Sequence, residues 1–161
     1  MSADVCSQRV DSLDLEILKA LSRNSRLSTR EISRALKKSP SLIHLRIKRL
    51  EKCGLIKNYT TLIDYTKLGY TVHALTLLQV EGAHISEVED LLSREPNVRA
   101  VYDITGEYDI ALISVFRSVS ELDNFIKRIL KNPYIKRSVT SLILRVVKDT
   151  PHIEAAFQQA T

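Results

Sequence analysis

The stretch STREISRALKKSPSLIHLRIKRLEKCG, residues 28–54, carries the signals for two short helices joined by a tight turn. Ser28, followed three residues later by Glu31, forms a capping box that predicts the start of a helix. Ser39 and Pro40 predict the start of the next helix, with the serine as N-cap and the proline at the first helical position. Gly54 predicts its end, because glycine readily takes the left-handed conformation found past a C-cap. Two such helices, the second basic, are typical of a helix-turn-helix.

Apolar residues at helical spacing extend this prediction to a three-helix, winged-helix-like domain. A first helix is predicted before the quoted stretch, and Asn24 and Ser25 end it. The residues expected to face the core are Leu13, Ile17, Leu18 and Leu21 in the first helix, Ile32, Ala35 and Leu36 in the second, and Ile43, Ile47 and Leu50 in the third.

The positive charge of the chain is concentrated in this helical segment. The 161 residues include 24 Lys and Arg against 19 Asp and Glu, a net charge of +5 with neutral histidines. Residues 1–58 hold 13 basic and 6 acidic residues, a net charge of +7, and the remainder carries −2. A basic cluster on a small domain is the pattern expected for nucleic-acid binding. A lysine-rich solvated surface is the alternative.

Beyond residue 58 the apolar spacing changes to that of strands and helices in alternation. Strands are predicted at 71–81, 98–105, 108–116 and 138–148, one helix from Ile85 to Leu92 before Pro96, and another between a second capping box, Ser118 to Glu121, and Pro133. The order βαββαβ predicts a ferredoxin-like arrangement with an antiparallel sheet. The whole chain therefore predicts an α+β fold. Its parts are a helix-turn-helix domain at 1–58, a linker at 59–69, a βαββαβ domain at 70–150 and a tail at 151–161. An extended stretch is predicted at 57–63, where the first domain passes into the linker.

The predicted sheet is apolar on both of its faces. Leu75 and Leu77 lie on the opposite side of their strand from Val72, Leu78 and Val80. A sheet with one wet face would alternate more cleanly between apolar and polar residues. The uncovered face therefore predicts a homodimer or larger assembly that packs sheet on sheet. Coverage of this face by the tail, 150–161, is the alternative.

Several other classes of protein are not indicated. No apolar run approaches the roughly 18–20 residues that a membrane span needs, so we expect no membrane contact. The scattered histidines and cysteines do not have metal-ligand spacing, so we expect no metal or other cofactor. No nucleophile–base pair or phosphate-binding loop is apparent, so we expect no enzyme activity.

Short motifs, in this order, resemble the Lrp/AsnC family of leucine- and asparagine-responsive regulators. They are LDLEIL at 13–18, STREIS at 28–33, RIKRLE at 46–51, GLI at 54–56, LGY at 68–70 and GEYD at 106–109, the last similar to the family's Gly-x-Tyr-Asp turn. The resemblance runs from about residue 10 to 149. It implies a prokaryotic, cytoplasmic transcription regulator that forms dimers and then tetramers or octamers. It also implies that the effector is an amino acid or a related metabolite.

The chain departs from the family in and after the turn of the helix-turn-helix. Lys37 and Lys38 stand where the family usually has a glycine and an apolar residue, so we expect Lys37 to adopt the left-handed conformation. Leu45 stands where an arginine is common on the third helix. These differences bear on base preference and affinity and leave the predicted fold unchanged.

The outward face near the start of the third helix is the predicted DNA-reading surface. Ser41 and His44 are expected to bond base edges, and Leu42 and Leu45 to touch thymine methyl groups, with helix packing as the alternative for both leucines. The predicted phosphate contacts are Arg30, Arg34, Lys37, Lys38, Arg46, Lys48 and Arg49, together with Ser28 and Ser39 at helix N-termini. Double-stranded DNA is thus the expected partner.

The resemblance places the effector at the turn around Gly106 and Glu107, where dimers of the family meet. An α-amino acid needs N–H donors for its carboxylate and an acceptor, such as Asp109, for its ammonium group. The predicted effector residues are Thr105, Gly106, Glu107, Tyr108 and Asp109, with Ser138 and Thr140 on the last strand. A purely structural hairpin turn is the alternative.

Three functions remain open from the sequence. The favoured one is an effector-responsive transcription regulator. The second is an architectural protein that wraps DNA and ignores small molecules, and the third is an amino-acid-binding module that acts on a protein partner. Discrete operator footprints would favour the first, and sequence-blind coverage of DNA would favour the second.

Overall fold

The computed structural model describes residues 10–150 and 152–157. The helices are α1 (Ser12–Arg23), α2 (Thr29–Leu36), α3 (Pro40–Lys52), α4 (Ile85–Ser93) and α5 (Val119–Ile129), and the strands are β1 (Val72–Val80), β2 (Val98–Asp103), β3 (Ile110–Phe116) and β4 (Ile135–Leu142). Short 3-10 helices occupy Tyr65–Leu68, Gly82–His84 and Glu154–Phe157.

The described chain divides into two compact units. Residues up to Leu62 form the first unit together with those from Lys148 onward, and Ile63–Val147 forms the second. The predicted linker, 59–69, is thus divided between the two units. The described tail residues, 152–157, group with the first unit, in which Arg23 and Glu154 form an ion pair at 3.4 Å.

The helix boundaries of the first unit follow local capping chemistry. The predicted capping box of Ser28 and Glu31 opens α2, and Ser39 caps α3 with Pro40 in its first turn. Lys37 ends α2 in the left-handed conformation, with φ of 53°, and Gly54 follows α3 with φ of 69°. These features confirm the helix-turn-helix prediction.

The core of the first unit joins all three helices. Ile17 and Leu21 of α1, Ile32 of α2, and Ile43 and Leu50 of α3 are buried together, with Ile47 partly buried against them. Ala35 was expected to face this core but is exposed, because the α2 face that packs on α3 runs through Ile32 and Leu36.

In the second unit an antiparallel sheet with the order β2-β3-β1-β4 carries the core on one face. Ala74, Thr76, Leu78 and Val80 of β1 are all buried, as the alternation predicts, and α4 and α5 pack over this face through Val88, Leu92, Phe125 and Ile129. On the other face, Leu75, Leu77 and Ile113 remain partly exposed, and Val139 is 38% exposed.

The stretch 57–63 belongs to no helix or strand. Two sequence-based predictions in and near this sheet were wrong. The last strand covers Ile135–Leu142 instead of 138–148, because its partner β1 begins at Val72, and Ala74 already lies opposite Leu142. The carboxylate of Glu121 accepts from the Arg117 N–H at 2.9 Å, so the second capping box is incomplete, although Ser118 does cap α5.

A buried carboxylate on α1 organises the first unit electrostatically. Asp14 is fully buried and forms ion pairs with Arg46, at 3.3 Å, and with Arg49, both on α3. The N–H of Asp11, the N-cap of α1, donates to the Asp14 carboxylate at 3.1 Å, and the Asp14 N–H donates to the Asp11 carboxylate at 2.9 Å. Asp11 also pairs with Arg46 at 2.6 Å. The hydrogen bond to Asp11 raises the pKa of Arg46 above its ordinary value. Burial raises the pKa of Asp11, but the Asp14 N–H and Arg46 outweigh it, so its net pKa is lowered.

Replacing Asp14 tests whether this cluster holds α1 to α3. We expect Asp14→Ala to lower the free energy of unfolding by about 3 kcal/mol, because the substitution removes the buried carboxylate with which both Arg46 and Arg49 pair. Glu16→Ala, at an exposed position of the same helix, should have little effect. Urea denaturation followed by circular dichroism measures both variants, and equal small losses would contradict the assignment.

Candidate nucleic-acid interface and effector turn

The surface of α3 separates into a buried side and a solvent side, as the sequence predicts. Ser41, His44 and Lys48 are exposed, and Leu45 is 67% exposed although it is a large apolar residue. Leu42 is partly buried, in keeping with the packing alternative, while its N–H is bonded by the Ser39 hydroxyl at 3.2 Å. The solvent side thus presents hydrogen-bonding and methyl groups of the kind that read base edges in the major groove.

The basic residues fall into two groups that differ in their partners. Arg30, Arg34, Lys37 and Lys38, on α2 and the turn after it, are all exposed. The backbone of this turn is held by a hydrogen bond of 2.6 Å from the Ser33 hydroxyl to the Lys38 carbonyl. Arg46 and Arg49 instead direct their guanidinium groups to Asp14. The charge best placed to meet phosphates therefore lies on α2 and the turn.

Two other residues that are predicted to contact DNA, Ser28 and Lys48, form bonds within the first unit. The Ser28 hydroxyl and N–H both donate to Glu31 at 2.7 Å, and these bonds lower the pKa of Glu31. Lys48 pairs with Glu51 at 2.9 Å, and Glu51 also accepts from the Tyr59 hydroxyl at 3.0 Å. Burial and this bond raise the pKa of Tyr59 to about 12. The residues that follow α3 are in this way tied back to its last turn.

The predicted effector turn lies in the six-residue connection, 104–109, between β2 and β3. The Ile104 N–H donates to the Asp109 carbonyl at 2.8 Å and closes the loop, in which Gly106 has φ of 124°. Thr105, Gly106 and Glu107 are exposed, whereas Tyr108 is partly buried. A residue with a side chain is strained at such a φ, so glycine here shapes the turn.

Asp109 fastens this turn to the central strand. Its N–H donates to the Leu78 carbonyl at 2.9 Å, and its carboxylate accepts from the Val80 N–H at 2.7 Å, where the pairing register of β1 shifts. One carboxylate oxygen of Asp109 is thereby engaged in the fold.

The last strand lies beside the same end of β1. Ser138 is opposite Leu78, and the Thr140 hydroxyl lies 3.1 Å from that of Thr76. Arg137 pairs with Glu107 at 2.8 Å, and its guanidinium lies 5.8 Å from the centre of the Tyr108 ring. The polar residues of β4 and the Gly106 turn therefore lie at the same end of β1, and the ion pair between Arg137 and Glu107 connects them.

Sequence reasoning missed Arg137, Asp11 and Asp14 as members of these clusters. Each acts through a partner at least 30 residues away, or through a helix cap, and is one of many charged residues in the chain. Among the described residues, no group of three or more histidine, cysteine or acidic residues is placed to hold a metal ion. No helix in 10–150 or 152–157 is long and apolar enough to cross a membrane.

Comparisons with known proteins match both units. Residues 10–57 match a family model described as a winged helix-turn-helix DNA-binding domain, and residues 73–153 match the Lrp/AsnC ligand binding domain. An uncharacterized HTH-type transcriptional regulator of Pyrococcus furiosus is 39% identical over 145 residues, 90% of this chain and 98% of that protein. The HTH-type regulator FL11 of Pyrococcus horikoshii is 33% identical over 144 residues, 89% of this chain and 95% of its own length.

Solved structures show the same architecture. LrpC of Bacillus subtilis has a TM-score of 0.80 at 31% identity and covers 87% of this chain and 98% of its own. AsnC of Escherichia coli has a TM-score of 0.81 at 26% identity, over 88% and 96% of the two chains. The likeness to these structures confirms the α+β fold. The relatives are transcription regulators, which agrees with the expectation that the protein is not an enzyme. The chain belongs to the Lrp/AsnC family, and it is a DNA-binding transcription regulator with a ligand-binding domain.

Proposed function

We propose that this regulator recognises specific operator sequences with α3 and responds to an amino acid, or a related metabolite, bound at the Gly106 turn. The observation that carries the DNA part is the exposed pair of His44 and Leu45 on α3, together with four exposed basic residues on α2 and the turn after it. Bound to chromosomal DNA, the protein acts in the cytoplasm of a prokaryotic cell.

The two kinds of DNA contact have separate roles in this proposal. Arg30, Arg34, Lys37 and Lys38 contact phosphates and position the domain without reading sequence. Ser41, His44 and Leu45 lie in the major groove, where hydroxyl, imidazole and methyl contacts distinguish base pairs. Lys48 and the helix N-termini at Ser28 and Ser39 add further phosphate contacts, while Arg46 and Arg49 act mainly by fixing α3 against α1.

Charge removal on α2 and its turn tests the DNA contacts. Arg34→Ala and Lys38→Ala should each weaken binding to all sequences and reduce the salt slope of the binding constant by about 1, because each removes one phosphate contact. Leu45→Ala should instead reduce discrimination at one base position. Lys131→Ala, an exposed lysine of the second unit, is the charge-matched control. Unchanged slopes in fluorescence anisotropy titrations would contradict the assignment.

We further propose that the uncovered face of the sheet joins two copies of the chain. Leu75, Leu77 and Ile113 form a partly exposed apolar strip on this face, and Val139 and Tyr102 widen it. The tail was the alternative cover, but its described residues group with the first unit. Dimers would then assemble into tetramers or octamers through surfaces that include the effector turn.

A charge placed in the apolar strip tests the dimer. Leu77→Glu should shift the protein to a monomer, because an unpaired carboxylate would otherwise be buried between the two sheets. Val119→Glu, at an exposed apolar position on α5, should leave the assembly unchanged. Sedimentation equilibrium gives both masses. A wild-type protein that is itself monomeric, or an unaltered Leu77→Glu assembly, would refute this proposal.

The effector part rests on complementary groups at the turn. Exposed backbone N–H groups at 105–107 suit a carboxylate, and the second oxygen of Asp109 suits an ammonium group. Ser138 and Thr140 lie where the bound molecule would meet β4.

A thermal-shift screen against the twenty amino acids tests this part. A ligand at about 100 times its Kd should stabilise the folded protein by about 2.7 kcal/mol and so raise Tm clearly. Ser138→Ala should reduce the shift, whereas Ser120→Ala, an exposed serine on α5, should not. A screen without any shift would contradict an amino-acid effector. Sequence-blind footprints would then favour the architectural alternative.

A further inference from the structure

One carboxylate lies on the side of α3 that is proposed to face DNA. Glu51 follows His44 by seven residues and Lys48 by three, a spacing that places the three side chains on one stripe of the helix. The bonds from Lys48 and Tyr59, together with the charge of His44, lower the pKa of Glu51. The carboxylate is therefore ionised at neutral pH, on a surface that would approach DNA phosphates.

Both carboxylate oxygens of Glu51 have a donor within the first unit. The Lys48 ammonium lies 2.9 Å from Oε2, and the Tyr59 hydroxyl donates to Oε1 at 3.0 Å. The Lys48 side chain is 62% exposed and that of Glu51 only 30%, so the ammonium is open to solvent whereas the carboxylate is confined beside it. The lysine and the glutamate together carry no net charge.

An ion pair of this kind is weak on an isolated helix. Exposed pairs contribute little, because two long side chains must be held in one geometry. A lysine that precedes its glutamate along the helix is also the less favourable order. A second donor that fixes the glutamate side chain would therefore raise the fraction of time for which the Lys48–Glu51 pair is formed.

Tyr59 is this second donor, and it comes from outside the helix. α3 ends at Lys52, and Tyr59 lies in the segment that follows. Burial, and then the bond to Glu51, raise the pKa of the phenol to about 12, so the hydroxyl stays protonated and donates at neutral pH. The Ile56 N–H donates to the Leu50 carbonyl at 3.2 Å and ties the intervening chain to α3. The placement of the carboxylate thus depends on residues beyond the helix.

We propose that Glu51 neutralises Lys48 and so lowers the affinity for DNA, and that Tyr59 keeps the carboxylate in place. The inference rests on the proposed contact between α3 and DNA, and it adds that Lys48 becomes a full phosphate contact only when Glu51 is displaced. Tyr59 is a positioning residue, because it acts on the lysine through the carboxylate. It lies four residues before Ile63, where the second unit begins, so a shift of this segment that withdraws the hydroxyl raises the affinity for DNA.

Anisotropy titration of the full chain with a labelled DNA duplex of mixed sequence tests the proposal. Glu51→Gln should steepen the logarithmic salt dependence of the binding constant by about 0.9, the value for one added phosphate contact, and strengthen binding about fivefold at about 0.15 M salt. Glu16→Gln makes the same change of charge at an exposed position of α1. It is the matched control and should leave the slope unchanged.

The contribution of Lys48 should depend on its partner. In the Glu51→Gln background, Lys48→Ala should remove the added slope of about 0.9, whereas in the otherwise wild-type chain it should change the slope by less than half of that amount. Tyr59→Phe should strengthen binding about twofold, a part of the full effect, and this gain should vanish in the Glu51→Gln background. Tyr102→Phe, at an exposed phenol of β2, should bind DNA like the wild type.

Two variants remove the charge of Glu51, and circular dichroism establishes that each variant is folded. Wild-type slopes in both Glu51→Gln and Glu51→Ala would overturn the proposal. A loss of about 0.9 in slope on Lys48→Ala in the otherwise wild-type chain would also overturn it, because Lys48 would then already be a full phosphate contact. A gain from Tyr59→Phe that persists in Glu51→Gln, or the absence of any gain, would refute the positioning role of Tyr59.

Arg34→Ala and Lys38→Ala, measured on the same duplex, separate this proposal from the proposed DNA interface. If they reduce the slope while Glu51→Gln does not increase it, the interface stands and only the neutralisation of Lys48 is wrong. If none of these variants alters the slope, the proposed interface itself is wrong.

Discussion

The buried carboxylate of Asp14 is the constraint on which the DNA-binding unit depends. A charge removed from water costs several kcal/mol unless it is paired, and Asp14 is fully buried. Arg46 and Arg49 therefore have to face α1, which fixes the rotation of α3 about its own axis. With that rotation set, Ser41, His44 and Leu45 face solvent. The proposed DNA-reading surface is thus a consequence of how one acidic residue is neutralised, and the proposed phosphate contacts fall to α2 and the turn after it.

In the second unit, some residues around the Gly106 turn are bonded to the sheet, and others lie on the surface where the proposed ligand would bind. The N–H and one carboxylate oxygen of Asp109 are bound to β1, and Gly106 has a backbone conformation that suits glycine. The turn is therefore shaped before any ligand arrives, which lowers the entropy lost on binding. Glu107 and Arg137 are instead exposed and paired across the turn. An exposed pair of this kind contributes little to stability, so a ligand bound at the proposed effector turn would displace it at low cost in free energy.

Local chemistry made much of the fold predictable, whereas distant partners did not. The caps at Ser28 and Ser39 and the left-handed Lys37 depend on residues within five positions, so the sequence alone indicates them. The end of β4 depends on where β1 begins: the Ile143 N–H still donates to the His73 carbonyl of β1 at 2.8 Å, and the apolar run then continues past the start of β1. The roles of Arg46 and Arg49 depend on Asp14, more than 30 residues away. The sequence does not show that Arg46 and Arg49 pair with a distant carboxylate whereas Lys48, between them, pairs with Glu51.

The apolar strip of the sheet and the reading surface of α3 are connected by symmetry in the proposed assembly. Two copies related by a two-fold axis present two α3 helices in opposite directions, which suits a pseudo-palindromic operator. The spacing of the half-sites, about one helical turn or a multiple of it, then depends on the segment between the two units. Tyr59 ties the start of this segment to the last turn of α3, and the Asp64 side chain caps the 3-10 helix Tyr65–Leu68 at its other end. Local hydrogen bonds therefore hold the segment at both ends.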